Sequence, residues 1–175
     1  MHQNFLMRSV DILIDGFGRV KEAVHDAARG LNASSLNHRL DSRANSIAWL
    51  LWHLTRVQDD HVSEVAGVEQ VWHAQGWIDR FGLPLSAGDT GFGHTSEDVA
   101  AVRVKSAKLL TGYYDAVHDN TLAYLEGLED ADFDVVVDES WDPPVTLGVR
   151  LVSVIADSLQ HAGQAAYVRG LVLRR

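Results

Sequence analysis

The sequence predicts an all-α protein, a four-helix bundle, and three observations carry that reading. Apolar residues recur at helical spacing over four long stretches, each the mark of one buried face. Capping residues stand where the later stretches begin. The connection between the second and third stretches is much the longest, which lets those two helices run parallel and frees the bundle from simple up-and-down order.

Leu6, Val10, Leu13, Phe17, Val20, Val24, Ala27 and Leu31 form one stripe, a helix of about seven turns. Asp11, Asp15, Arg19, Glu22 and Asp26 fall off it, and Gly30 followed by Asn32 ends it. Asn45 or Ser46 caps a second helix from Ile47 to about Ala66, with a core face of Ile47, Leu50, Leu54, Val57 and His61. Residues 67–94 show little periodicity and several breakers, and Gly82, Gly88, Gly91 and Gly93 give their later part the freedom that a lid or substrate-shaping loop needs. Thr95 and Asp98 resemble a capping box that opens a third helix, whose apolar positions are Val99, Val102, Leu109, Tyr113, Val117, Tyr124 and Leu128. An extended piece over residues 133–138 leads to Trp141-Asp-Pro-Pro144, and Thr146 caps a fourth helix running to about Leu173. With no internal repeat and no composition break, residues 1–175 are expected to form one domain.

Composition narrows the chemistry. The chain has no cysteine, which excludes disulfides, thiolate metal sites and a protein thiol nucleophile. Any thiol chemistry uses a thiol from outside. A formal charge of −9 without a basic stripe argues against nucleic acid and anionic lipid as partners. No apolar run approaches a membrane span, and the N-terminus lacks the pattern of a signal peptide, so a cytoplasmic protein is expected.

The fourth helix carries the chemistry. Asp157 and His161 stand one turn apart on one face, a spacing at which a carboxylate and an imidazole grip a single divalent ion. His53 lies inside the core face of the second helix, between Leu50 and Val57, and is a third donor. Two imidazoles and a carboxylate suit zinc first, with nickel, iron or manganese as alternatives, and leave positions open for substrate. The bland alternative is a hydrogen-bonded Asp–His pair beside a satisfied core histidine. Desolvation weighs against it, because three ionisable groups on core-facing positions need compensation that a cation provides.

His61, at the rim of the same region, His94, in a Gly-rich loop, and Gln164, three residues past His161, are candidates for substrate contact or for orienting the ligands. His25, His38, His73 and His118 show no partner pattern and are read as surface residues, and Trp49, Trp52 and Trp77 as packing.

Trp52-His53-Leu-Thr-Arg-Val-Gln-Asp-Asp-His61 and Asp157-Ser-Leu-Gln-His161-Ala-Gly-Gln164 resemble the DinB/YfiT-like metalloenzymes, in particular an actinobacterial subgroup related to mycothiol-dependent transferases and isomerases. The resemblance spans nearly the whole chain, including Arg80-Phe-Gly-Leu-Pro84 and Trp141-Asp-Pro-Pro-Val-Thr146. It implies a four-helix bundle holding a divalent metal between a histidine of helix 2 and a His-x-x-x-His pair of helix 4. His53 and His161 match two of these ligands. Asp157 departs from the commoner histidine, as in the mycothiol-linked maleylpyruvate isomerases, and lowers the net charge of the site.

The resemblance implies a metal-dependent enzyme that joins a small thiol, mycothiol, to a small electrophile by S-transfer or isomerisation. A metal-dependent hydrolase on the same site and a non-catalytic bundle binding a small ligand or partner are the alternatives. A homodimer is among the expected states.

Overall fold

The computed structural model describes residues 7–174, so Leu6 lies outside it. The elements are α1 (Ser9–Ala28), α2 (Ala33–Leu36), α3 (Ile47–Ala66), α4 (Val71–Ala74), α5 (Trp77–Phe81), α6 (Ser96–Ala101), α7 (Ala107–Glu126), a 3-10 helix (Asp130–Asp134), β1 (Val136–Asp138), β2 (Val145–Thr146) and α8 (Leu147–Val172). The piece expected to be extended over residues 133–138 is therefore a 3-10 turn at Phe133 and Asp134 and a strand only from Val136. The fold is an all-α bundle of the four long helices α1, α3, α7 and α8. Among the described residues no helix is long and apolar enough to cross a membrane.

The stripe read along α1 is the face it buries, with Val10, Leu13, Phe17, Val20, Val24 and Ala27 all in the core. Ser46 caps α3 by accepting the Trp49 N–H at 3.1 Å, and Thr146 caps α8 by accepting that of Val149 at 3.4 Å. Each cap contributes about 1 kcal/mol by satisfying a donor the helix leaves free. Around the bundle the order is α1, α7, α3, α8. Helices α1 and α3 therefore face each other across the core, as do α7 and α8. The first and last connections cross the diagonal, whereas the long one joins neighbours. Gly16 marks the close approach of α1 to α8, since a Cβ there would meet Ile155 Cδ1 at 2.9 Å.

The third helix is broken. The capping box at Thr95 and Asp98 forms, but α6 stops at Ala101 and α7 begins at Ala107. Val102 and Val104 remain buried between them, which is why the apolar spacing ran on without a visible gap. The Asn37 side chain accepts the Val104 N–H and donates to its carbonyl, both at 2.8 Å, and so takes the backbone groups that a continuous helix would pair. His118 is a second correction: it is 5% exposed, one turn below buried Tyr114, so the buried face of α7 is wider than its stripe. His25 also has a partner, with Nε2 at 2.8 Å from Asp115 Oδ1.

Helix α3 is buried on almost every side, because α4, α5 and the segment after them wrap the flank that the sequence left to solvent. Arg56 and Asp59 hold this wrapping in place. The Asp59 carboxylate accepts from Tyr113 Oη at 2.7 Å and from the backbone N–H groups of Val71 and Trp72 at 2.9 and 2.8 Å, which seats α4. Arg56 donates to Gln70 at 2.9 Å and to the Asp89 carbonyl at 3.0 Å. The two side chains are 3.5 Å apart and fully buried. These bonds meet the desolvation cost of both charges and fix the path of the connection up to Asp89.

A candidate metal centre in the bundle

His53 from α3 and Asp157 and His161 from α8 converge, with one potential ligand atom from each lying within 4.8 Å of the others. The rings of His53 and His161 meet edge to face with centroids 4.7 Å apart, and Trp49 stacks on His53 at 4.5 Å. His53 is 7% exposed.

Hydrogen bonds select the tautomers. His53 Nδ1 is 2.6 Å from the Thr90 carbonyl oxygen, which can only accept, so Nδ1 carries the hydrogen and the Nε2 lone pair is free. His161 Nδ1 is 2.9 Å from the backbone oxygen of Asp157, with the same consequence. Burial is the main cause that lowers the His53 pKa, keeping the ring neutral, the form that ligates. The Asp157 carboxylate beside His161 raises its pKa, and the carboxyl of Asp157 is itself held low, chiefly by His161 against the opposing effect of burial. Asp157 Oδ2 is buried without a hydrogen bond and has His161 Nδ1 as an ion-pair contact at 3.3 Å.

This donor set fits a divalent ion. Two imidazoles are each tied at Nδ1 and open at Nε2, and a carboxylate oxygen is buried without the bond that would offset its desolvation.

His53 and Asp157 open onto a cavity of about 660 Å³. His61 is on its wall, where Arg150 Nη1 donates to Nδ1 at 3.1 Å, leaving the hydrogen of the neutral ring on Nε2. Arg150 also binds Glu64 at 2.7 Å and Asp138 at 3.3 Å. Thr90, Phe92, Asp138 and Trp141 line the same cavity; Thr90 and Phe92 belong to the segment expected to shape a substrate site, whereas Asp138 and Trp141 carried no such expectation. Trp141 had a signal, a large aromatic in a Pro-rich loop off any helical stripe. Thr90 had none, because its carbonyl makes the contact.

Two candidates stand elsewhere. Gln164 is exposed and lines a separate groove with Leu40 and Tyr167. Seven residues past Asp157 is about 10.5 Å along a helix, which carries it beyond the centre. The His94 ring is almost buried, accepting from Trp49 Nε1 at 3.0 Å and donating to Asp89 at 2.8 Å, so both nitrogens are taken and neither faces a substrate. His94 ties down the loop carrying Thr90. The later part of the connection is thereby pinned to α3 rather than hinged like a lid.

The comparisons with known proteins agree with this architecture. The crystal structure of a conserved protein from Enterococcus faecalis superposes with a TM-score of 0.91 and 31% sequence identity, covering 97% of this chain and 100% of that one. No protein of curated function matches the sequence. The family model described as mycothiol-S-transferase matches residues 13–173. With that match over nearly the whole chain, the chain belongs to the DinB-like mycothiol S-transferase family.

Proposed function

We propose that the protein is a metal-dependent thiol S-transferase, in which His53, Asp157 and His161 hold one divalent transition ion and a small thiol, mycothiol by family, is joined to a small electrophile in the cavity alongside. The observation that carries this reading is the donor set: two imidazoles and a buried carboxylate, one potential ligand atom from each within 4.8 Å of the others. A divalent ion held there supplies the positive charge that lets a thiol, ordinarily of pKa about 8.5, stand as thiolate at neutral pH.

The chain's own residues do the rest. Thr90 and the Asp157 backbone carbonyl keep both rings in the ligating tautomer. Trp49, stacked on His53 at 4.5 Å, packs against the ligand ring. His61, fixed by Arg150, presents an N–H on the cavity wall. The absence of cysteine keeps the protein from competing for either the ion or the electrophile. Zinc is the first expectation for the ion, and the whole chain acts as one domain.

Turnover of a broad electrophile panel with and without added thiol tests the reading. Product should form only with thiol present, carry the thiol sulfur, and cease when the metal is chelated. Equal turnover without thiol points to a hydrolase and sinks the proposal.

A further inference from the structure

The cavity beside His53 and Asp157 has a wall and a rim that the metal centre does not explain. Phe92 is 91% exposed and Trp141 67% exposed, yet both line the cavity. Large aromatics left in water at the mouth of a concave site are unused apolar faces, suited to stacking on a flat ligand. Trp141 belongs to the loop joining β1 to β2, and the strands bring Asp138 to the wall beneath it.

The wall is acidic. Asp60, Asp138 and Asp157 all line it, and Arg150 is the guanidinium among the lining residues. That guanidinium is not free to receive an anion. Its side chain is 11% exposed and already faces Glu64, Asp138 and the His61 ring. Away from the metal centre, an incoming carboxylate would have to displace one of these partners and then lie beside Asp60 and Asp138.

We propose that this cavity takes an uncharged or cationic flat electrophile, its ring held against Trp141 and Phe92, and turns away carboxylated ones. The inference rests on the transferase reading above and adds its substrate class. The corresponding step is addition to a conjugated double bond, which needs no leaving group: the thiolate sulfur forms the C–S bond, the π pair moves to the adjacent carbon, and that carbon takes up the proton the thiol released.

Three unreactive probes of matched ring size separate charge from shape: nitrobenzyl alcohol, nitrobenzylammonium and nitrobenzoate. Their binding is measured by calorimetry on the metal-loaded full chain and again after chelation, with no thiol present, so the result is independent of whether transfer occurs. After chelation, with no ion to hold a carboxylate, the alcohol and the ammonium should bind about tenfold tighter than the benzoate. Trp141→Ala, a change on an exposed loop, should weaken the alcohol about fivefold. Asp60→Asn with Asp138→Asn should narrow the gap between alcohol and benzoate. Benzoate binding as tightly as the alcohol in the chelated form, or unchanged binding in Trp141→Ala, overturns the proposal.

Discussion

His53 and Thr90 meet through a single hydrogen bond, Nδ1–H to the backbone carbonyl at 2.6 Å, and the loop is shaped to deliver that carbonyl. The next residue, Gly91, has φ +92°, and a Cβ on it would stand 2.7 Å from the same nitrogen. Gly91 therefore meets two demands at once, a left-handed backbone and an approach that admits no side chain. Asp89 accepts from the Gly91 N–H at 3.0 Å and from His94, and its own carbonyl accepts from buried Arg56. The imidazole of His53 is thus oriented from the rigid side of α3.

Gly91→Ala should then disturb the metal centre without touching a ligand. The new methyl forces either the His53 ring or the Thr90 carbonyl to move, and outer partners of ligating histidines typically affect metal affinity about 10–100-fold. Competition with a chromogenic chelator measures this. Unchanged affinity would show that the Thr90 contact is incidental.

His94→Ala should produce a weaker version of the same effect. It removes the partner of Trp49 Nε1 and of the Asp89 carboxylate, loosening the loop while leaving Thr90 and Gly91 in place. The His53 Nδ1–H proton, followed by NMR in the metal-free protein, should exchange faster than in wild type. His94→Gln, which can restore one of the two bonds, should recover part of the protection.

Arg56→Met should destabilise the fold strongly. It strands the Asp59 carboxylate, fully buried, without its counter-charge and frees Gln70 and the Asp89 carbonyl. Breaking one half of such a pair costs about 3–5 kcal/mol. Chemical denaturation checks the loss, and a change under about 1 kcal/mol would mean that the hydrogen bonds from α4 and Tyr113 already neutralise the site.

Much of this architecture was legible from spacing. The stripe of α1, the start and end of α3 and the cap of α8 followed from periodicity and capping, because each is a local rule written in neighbouring residues. The convergence of His53 with Asp157 and His161 was reached from helix faces together with the family resemblance. What spacing could not carry was contact between backbone and side chain. The break at residues 102–106 depends on Asn37, which lies far away in sequence, and the wrapping of α3 depends on Asp59 seating α4. Gln164 stands one turn past His161, yet its side chain is exposed and lines a separate groove, an orientation that spacing alone does not fix. His118 was misread because a stripe marks the centre of a buried face and not its width.

The two histidines of the centre should titrate in opposite directions, and metal binding should report it. His161 is raised above the ordinary 6.5 by Asp157, and His53 is lowered below it by burial. Between 6.5 and the raised value of His161, the metal-free ring of His161 carries an added proton on Nε2, the atom a metal would need, while His53 is neutral. Ion binding in that window should release one proton, and affinity should fall about tenfold per pH unit as acid is added. A second proton should appear only below the lowered value of His53. Stability of the metal-free protein should move the other way in the upper window. A raised folded-state pKa contributes stability that is complete below 6.5 and lost as pH rises through the raised value, so mild acid strengthens the His161–Asp157 pair. Below 6.5 His53 opposes this, since its neutral buried form resists the proton that the unfolded chain accepts. Asp157→Asn removes the charge that raises His161 and should shift the one-proton window to lower pH. Calorimetry in buffers of different ionisation enthalpy counts the protons, and an Asp157→Asn protein that keeps the wild-type window would show that Asp157 does not set the His161 titration.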